Sequence, residues 1–525
     1  MKILSGAGPV TKAVILAVVL VLAGLGGWAG WTLLQPDPSC GQGVEKRGPR
    51  QECTGVTDGA YPFTPLLTEV SQRVKEENDR VVGEKDTPYV TVALMISLIG
   101  DNEVEQRRIL GEVQGAYLAQ YRANHLSSGE KPAIRLVLAN PGRDGAQWRP
   151  VTDQLGEMAH STKDNLRAVT GFDNSTSPFR DAIAHLTRDL GIPVVGGTIT
   201  ADSIANSPRN PKAYPGLVRI GATNREEAAA IANFDKDHGV KPADSLLVED
   251  QRQGDNYIDT LKEAFAERTK GSPYQSELFS AGNSLPMDFN RMVLRICETD
   301  AKVIYFAGRY QQLGVFLQEL GKRACRKKDG KETSYTVVTG DAANTLASQL
   351  AADPGFDWSV FSHGITLKYA SLAHPDMWGD PPTGEMSRTF QELSSLMTTA
   401  TKGSGGKQSV GPISPRSWYD LHDSRTMMIH DSVWTAVSGI RRNTGKDNPL
   451  PSLQDVTEAW YRMHGKSGKV EGASGWICLD NYGNPYDKGV AIVELDPRTK
   501  SIAFDGLAWP TGRPPSEDCA APNGG

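Results

Sequence analysis

No catalytic signature occurs in the 525 residues of this chain: no G-x-S-x-G, no H-E-x-x-H, no S-x-x-K with its partner motifs and no Walker loop. Hydrolysis by an elbow serine, zincin-type proteolysis and nucleotide turnover therefore lack their usual sequence basis. Gly403-Ser-Gly-Gly-Lys407 imitates a phosphate cradle, but Gln408 stands where Ser or Thr is required and no strand precedes it. The nine histidines are scattered, so a binder is a better reading than an enzyme.

Basic tracts and acidic tails are missing too. The chain carries 56 Lys and Arg against 62 Asp and Glu, a net charge of -6, which speaks against nucleic acid as a partner. Cysteine is scarce, and none of the six forms a CxxC or has a His at zinc spacing, so neither a metal nor a cofactor is expected.

One absence is local. Residues 13–34 contain no charged residue, and at about 1.5 Å per residue a helix of that length crosses a hydrocarbon layer of about 30 Å. Lys2 and Lys12 precede the run and no Lys or Arg follows until Lys46. The expectation is a single-pass membrane anchor at residues 13–34, with residues 1–12 cytoplasmic and the bulk extracytoplasmic. Trp28 and Trp31 fall near the outer end, where such rings favour the interface. A cleaved signal peptide and lipid attachment at Cys40 are the alternatives. The apolar run is longer than a signal core of roughly 7–15 residues, and Asp37-Pro38-Ser39 is unlike a lipidation site.

An even number of cysteines in an exported chain implies disulfides. Cys297 and Cys325 fall near the C-terminal ends of successive helices flanking the strand predicted at 303–307, which brings them to one edge of a doubly wound sheet. Cys40–Cys53 and Cys478–Cys519 follow by elimination, with unpaired buried thiols the alternative for each.

Residues 35–86 are rich in Pro, Gly and charge, and read as a tether or extension with a helix near 64–75. From residue 89, near-continuous apolar runs alternate with amphipathic helical patterns. Strands are predicted at 90–98, 134–139, 166–169, 192–195 and 217–220, with helices between them. A second series has strands at 245–249, 277–280, 303–307, 335–339 and 361–367. Such alternation implies α/β lobes with parallel sheets and right-handed crossovers. The predicted boundaries are 87–222 for the first part of lobe 1, 223–364 for lobe 2, 365–510 for completion of lobe 1 with C-terminal helices and crossover strands, and 511–525 for a tail. Residues 475–480 and 490–495 read as two antiparallel strands around an Asn-Gly-type turn, and 418–440 as a long helix.

Particular segments carry a resemblance. Gly171-Phe-Asp-Asn-Ser175-Thr176 opens a helix, and Gly191-Ile-Pro-Val-Val-Gly-Gly-Thr198-Ile-Thr200 follows. Then come Arg219-Ile-Gly-Ala-Thr-Asn224, Tyr305-Phe-Ala-Gly308, Gly340-Asp341, and Val470-Glu-Gly-Ala-Ser-Gly475 before Leu479-Asp-Asn-Tyr-Gly483. In order and spacing these resemble the type I periplasmic binding proteins, in particular the branched-chain amino-acid-binding (Leu/Ile/Val-binding) family of ABC transporters, over residues 89–496.

The resemblance implies two doubly wound lobes joined by three crossover strands, an amino-acid-like small molecule in the cleft, and an ABC permease as partner. It places Ser175, Thr176, Thr198 and Thr200 at a ligand carboxylate, Asp341 at an ammonium, and Asn224 at the first crossover. Free N–H groups at helix N-termini beyond the strand ends would serve an anion there; helix capping is the ordinary alternative for Ser175, Thr176 and Asp341, and a plain turn for Thr198 and Thr200. The chain departs from the family where a Tyr-Gly pair is replaced by Gln253-Gly254-Asp255, and where Arg309 and Tyr310 stand at the cleft tyrosine. Arg309 would suit a second acidic group on the ligand. The functional expectation is a membrane-tethered solute-binding protein for import; a sensing or envelope-interaction ectodomain of the same fold is the alternative.

Overall fold

A computed structural model describes residues 39–127, 130–282, 284–328, 331–378, 388–399, 421–516 and 519. The proposed anchor at 13–34, the Gly- and Ser-rich stretch at 401–415 and the end of the tail lie outside the described residues. Among the described residues no helix is long and apolar enough to cross a membrane.

Two sheets organise the chain. The first runs, edge to edge, Ser39–Gly41, Val44–Arg47, Glu52–Thr57, Ala133–Asn140, Tyr89–Met95, Leu166–Gly171, Val194–Gly196, Leu217–Arg219. The second runs Glu277–Phe279, Ser245–Asp250, Val303–Ala307, Tyr335–Thr339, Ile365–Ser371, Val490–Asp496, Ser501–Ala508. The strands in the middle of each sheet are parallel and almost wholly buried. This is why they read as unbroken apolar runs: helices cover both faces. The chain passes between lobes at residues 220–223, 372–424 and 478–489.

Three expectations are corrected. Residues 39–57 are not a tether; they add three antiparallel strands to the edge of the first sheet, through Gly55 to Thr57 paired with Asn140 to Leu138. Residues 365–510 do not all complete lobe 1. The strand Ile365–Ser371 lies parallel beside Tyr335–Thr339, and Val490–Asp496 and Ser501–Ala508 close the same second sheet. The expected hairpin of 475–480 with 490–495 does not form: Gly475–Ile477 pairs instead with Val470–Gly472, while Val490–Asp496 pairs with Ile365–Ser371. Period-2 patterning marks a strand but carries nothing about which distant strand it joins.

All three expected disulfides are present, Cys40–Cys53, Cys297–Cys325 and Cys478–Cys519. The first staples the added edge strands.

The helix Arg425–Arg442, buried along nearly its whole length, returns to lobe 1 and packs on Glu103–Tyr121. The two approach closely at Gly115, where an added Cβ would sit 2.3 Å from Thr426 O and 3.1 Å from His430 N. Asp431, buried on this helix, accepts the Ala473 and Ser474 N–H groups at 2.7 Å each, so the Gly472–Gly475 turn is held to it.

At the hinge, buried Arg219 donates to Asn484 Oδ1 (2.7 Å) and Ala201 O (2.8 Å), while its N–H bonds Gly483 O (2.9 Å). The segments 219–224 and 479–483 that carried the resemblance thus lock two crossovers together.

Backbone cannot yield at the Gly115 contact without moving a helix, and forcing carbon into a packed core costs about 1–3 kcal/mol. Gly115→Ala is expected to lower the melting temperature by several degrees with no change in fold by circular dichroism; an unchanged melting temperature would mean the helices are not this close.

Candidate functional site

The carboxyl ends of the parallel strands from both sheets face one another, the position at which open α/β sheets bind ligands. Here the lobes touch along a seam. Tyr257 N–H donates to Ser175 O (3.0 Å), Ser177 Oγ to Gly254 O (3.0 Å), Asn256 Nδ2 to Ser203 Oγ (3.0 Å) and Asn344 Nδ2 to Ser424 Oγ (3.0 Å).

Ser175, Thr200 and Asp341, far apart in the chain, converge at this seam. Thr200 Oγ1 donates to Asp341 Oδ1 at 3.3 Å, joining the lobes. Ser175 Oγ accepts from the N–H groups of Thr200 (3.2 Å) and Ala201 (3.3 Å). In this state the hydroxyl is engaged within its own lobe, so these side chains fill the deep crevice themselves. All three are buried.

Glu227, absent from the sequence expectations, stands beside them. It opens the helix Asn224–Asp237 in lobe 2, and its Oε2 accepts the Asp341 N–H at 3.1 Å. Burial first, then the nearby Asp341 carboxylate, pushes Glu227 well above the ordinary carboxylate range. Burial raises Asp341 as well, against the opposing pull of Arg425 and Arg309. Glu227 Oε1 and Asn224 Oδ1 have no hydrogen-bond partner among the described residues, in a place where buried polar atoms normally have one. Two acids and unpaired acceptors make a cluster that a cationic group would satisfy.

The remaining expected residues divide. Asn224 is wholly buried, its Nδ2 donating to Tyr257 O and Thr260 Oγ1 (2.8 Å each), and Thr198 Oγ1 bonds Phe172 O (3.2 Å). Neither faces open space. Thr176, Arg309 and Tyr310 do: they line a cavity of about 360 Å³ between the lobes, shallower than the seam.

Five arginines (108, 143, 252, 309 and 425) and five acids (Asp101, Glu105, Asp144, Asp173 and Asp255) line this cavity. Arg309 forks onto Asp255 (2.7 and 2.9 Å) and lies 4.5 Å from the centre of the Tyr257 ring. Burial opposes its charge, but Asp255 more than offsets that and raises its pKa. Asp255 itself is held low against burial by Arg309. Arg108 and Arg425 both bond buried Glu112 (2.8 and 3.2 Å), and Arg425 also reaches Asp173 O (3.0 Å). Tyr310 OH donates to Glu105 Oε1 across the cavity (3.1 Å); burial and then Glu105 push its pKa up to about 12.

Asp144 differs from the other acids. It sits at φ +52° in the turn after Ala133–Asn140, a conformation that few residues other than glycine adopt, and it makes no hydrogen bond or ion pair among the described residues. Desolvation by the cavity walls, then Asp173, raises its pKa although the side chain is exposed to the cavity. The Thr176 hydroxyl oxygen is likewise without a partner there.

Sequence reasoning missed Arg108, Arg425, Asp144 and Glu227. Asp144 left no trace, since Gly142-Arg-Asp-Gly145 reads as an ordinary turn. Arg425 left none, because it heads a helix whose apolar spacing reads as core.

A pH test follows from the acid pair. A carboxyl group whose folded pKa is raised gives full stability below its ordinary value of 4.5, and that stability is lost as pH climbs toward the raised value, because the unfolded chain ionises first. Glu227→Gln removes that term. The variant is expected to melt above the parent near pH 8 and no higher than it near pH 4.5, with a flatter profile. An identical slope in both proteins would mean that Glu227 is ionised in the fold.

With this geometry in view, the comparisons with known proteins are informative about fold. No protein-family model matches the chain, and no curated protein sequence does. Among solved structures, it is similar to the branched-chain amino acid transporter substrate-binding protein LivJ from Streptococcus pneumoniae, solved with isoleucine, at TM-score 0.55 and 15% identity, covering 80% of this chain and 99% of that one. The leucine-binding protein LivK from Thermotoga maritima gives 0.53 and 15%, with 80% and 98% covered. An ABC-transporter solute-binding protein from Rhodopseudomonas palustris, solved with p-hydroxybenzoic acid, gives 0.52 and 14%, with 80% and 95% covered. The chain therefore has the type I periplasmic-binding-protein fold.

Proposed function

We propose that this protein is an extracytoplasmic solute-binding protein that captures a small carboxylate-bearing molecule, amino-acid-like in its charges, between its two lobes. The observation that carries the reading is the interlobe cavity of about 360 Å³, walled by paired arginines and by one uncommitted acid, Asp144. That volume suits a small metabolite. Arg309 is pre-set by Asp255 and the Tyr257 ring to offer its remaining N–H groups to a carboxylate, and Thr176 supplies a hydroxyl. Asp144 supplies the counterpart for a cationic group. The solutes named for the similar structures, isoleucine and p-hydroxybenzoic acid, share a carboxylate, which supports the same ligand class here.

Capture needs entry and closure. The seam is crossed by hydrogen bonds between polar groups, and the lobes are joined by three chain passages, so parting them frees hydroxyls and acids. A hinge motion of this kind shifts toward the closed state when the solute contacts both walls. Opening would also free Ser175, Thr200, Glu227 and Asp341 for the deeper end of the solute. Delivery to an ABC permease, with the protein tethered through residues 13–34, is the use we assign to this capture.

A thermal-shift screen of the full-length protein against amino acids, dicarboxylates and aromatic acids tests the reading. At a concentration one hundred times its Kd, a true solute stabilises the fold by about 2.7 kcal/mol. Arg309→Gln is expected to weaken that solute by about ten- to a hundredfold, since a hydrogen bond to a charged group is worth about 1.5–3 kcal/mol. The reading is overturned if no acid stabilises the protein, or if Arg309→Gln binds the stabilising acid unchanged.

A further inference from the structure

A second site lies away from the cleft, where the chain leaves lobe 2 for lobe 1. His374 and Asp376 follow the strand Ile365–Ser371, and His422 precedes the helix Arg425–Arg442. One nitrogen of each imidazole and one Asp376 oxygen all lie within 4.8 Å of one another. The sequence gives no hint of this, because the two histidines are 48 positions apart and belong to no metal motif.

One of the three donors is enclosed and the other two reach it from the surface. The His374 ring is 1% exposed, stacked on Phe504 at 5.5 Å and 17°, and meets His422 edge-on at 5.1 Å and 64°. The Asp376 N–H donates to His374 Nδ1 at 3.2 Å, tying the backbone at Asp376 to the ring. Asp376 Oδ2 approaches the same nitrogen to 3.7 Å. A cation entering here would replace that N–H and meet the imidazole nitrogen and the carboxylate oxygen together.

We propose that His374, Asp376 and His422 bind a divalent transition cation of the Zn²⁺ class. Two imidazoles and a carboxylate are a donor set that such ions prefer over Mg²⁺ or Ca²⁺, and three protein ligands leave a fourth position for water. The ion ties together the two ends of the 372–424 passage. It does so close to the solute site: Ser424, two residues beyond His422, accepts the interlobe bond from Asn344, and Arg425 lines the cavity. The cation therefore braces the base from which a cleft arginine is presented. The proposal is independent of the solute reading, since its ligands lie outside the cavity.

The test is calorimetric titration of chelator-stripped full-length protein with ZnCl₂, alongside thermal melts and Co²⁺ absorption spectra. Saturable binding of one ion per chain is expected, with a raised melting temperature and Co²⁺ bands of a low-coordinate nitrogen and oxygen site. Asp376→Asn and His422→Ala are each expected to lose at least tenfold in Zn²⁺ affinity and to lose the Co²⁺ bands, while their metal-free melting temperatures match the parent's. His374 is avoided because its burial would confound folding. Absence of saturable binding in the parent overturns the proposal, as does binding that survives undiminished in both variants.

Discussion

Two carboxylates, Glu227 and Asp341, are buried where the two lobes meet, and the rest of the molecule is arranged around that burden. No Lys or Arg forms an ion pair with either among the described residues, and Arg309 and Arg425 act on Asp341 only from a distance. Burying charge without a partner is far too costly for a protein to sustain, so such groups hold a proton or wait for a cation. Thr200 across the seam supplies one hydrogen bond and the Asp341 N–H another. The shallower cavity has the opposite character, since almost every charge there is already matched. The cleft is thus a gradient, from a balanced arginine-rich mouth to an acid-rich floor.

Much of the fold was legible. The central strands of both sheets were read within a few residues, because parallel strands covered on both faces have no polar side to confuse the pattern. Strands at the edges were not. Val44–Arg47 reads Val-Glu-Lys-Arg, and a sequence so charged signals solvent; here it lies one strand in from the sheet edge, between Ser39–Gly41 and Glu52–Thr57, in a group fastened by Cys40–Cys53. The strands Val490–Asp496 and Ser501–Ala508 were recognisable as strands, but their home in the second sheet depends on a partner more than a hundred residues upstream.

The site was legible in outline only. Motif order brought Ser175, Thr200 and Asp341 to one place, as expected of strand ends in this fold. What these groups do there is a question of distances that no motif encodes: Ser175 caps two backbone N–H groups, Asn224 is locked by Tyr257 and Thr260, and the open volume lies elsewhere. Asp144 and Arg425 escaped for separate reasons, one through an unusual backbone conformation and the other through its place at the head of a core helix.

The amide of Tyr257 offers the most direct measurement of whether the lobes open and close over a solute. It lies in the first turn of Asn256–Arg268, where an N–H has no acceptor within its own helix, and its hydrogen bond goes to Ser175 O on the other lobe. Hydrogen exchange at this amide should be fast in the solute-free protein and slow severalfold or more once a stabilising acid is bound, while amides in the middle of the same helix stay unchanged. Equal protection of Tyr257 with and without that acid would contradict the account, because the lobes would then not be moving in response to what they hold.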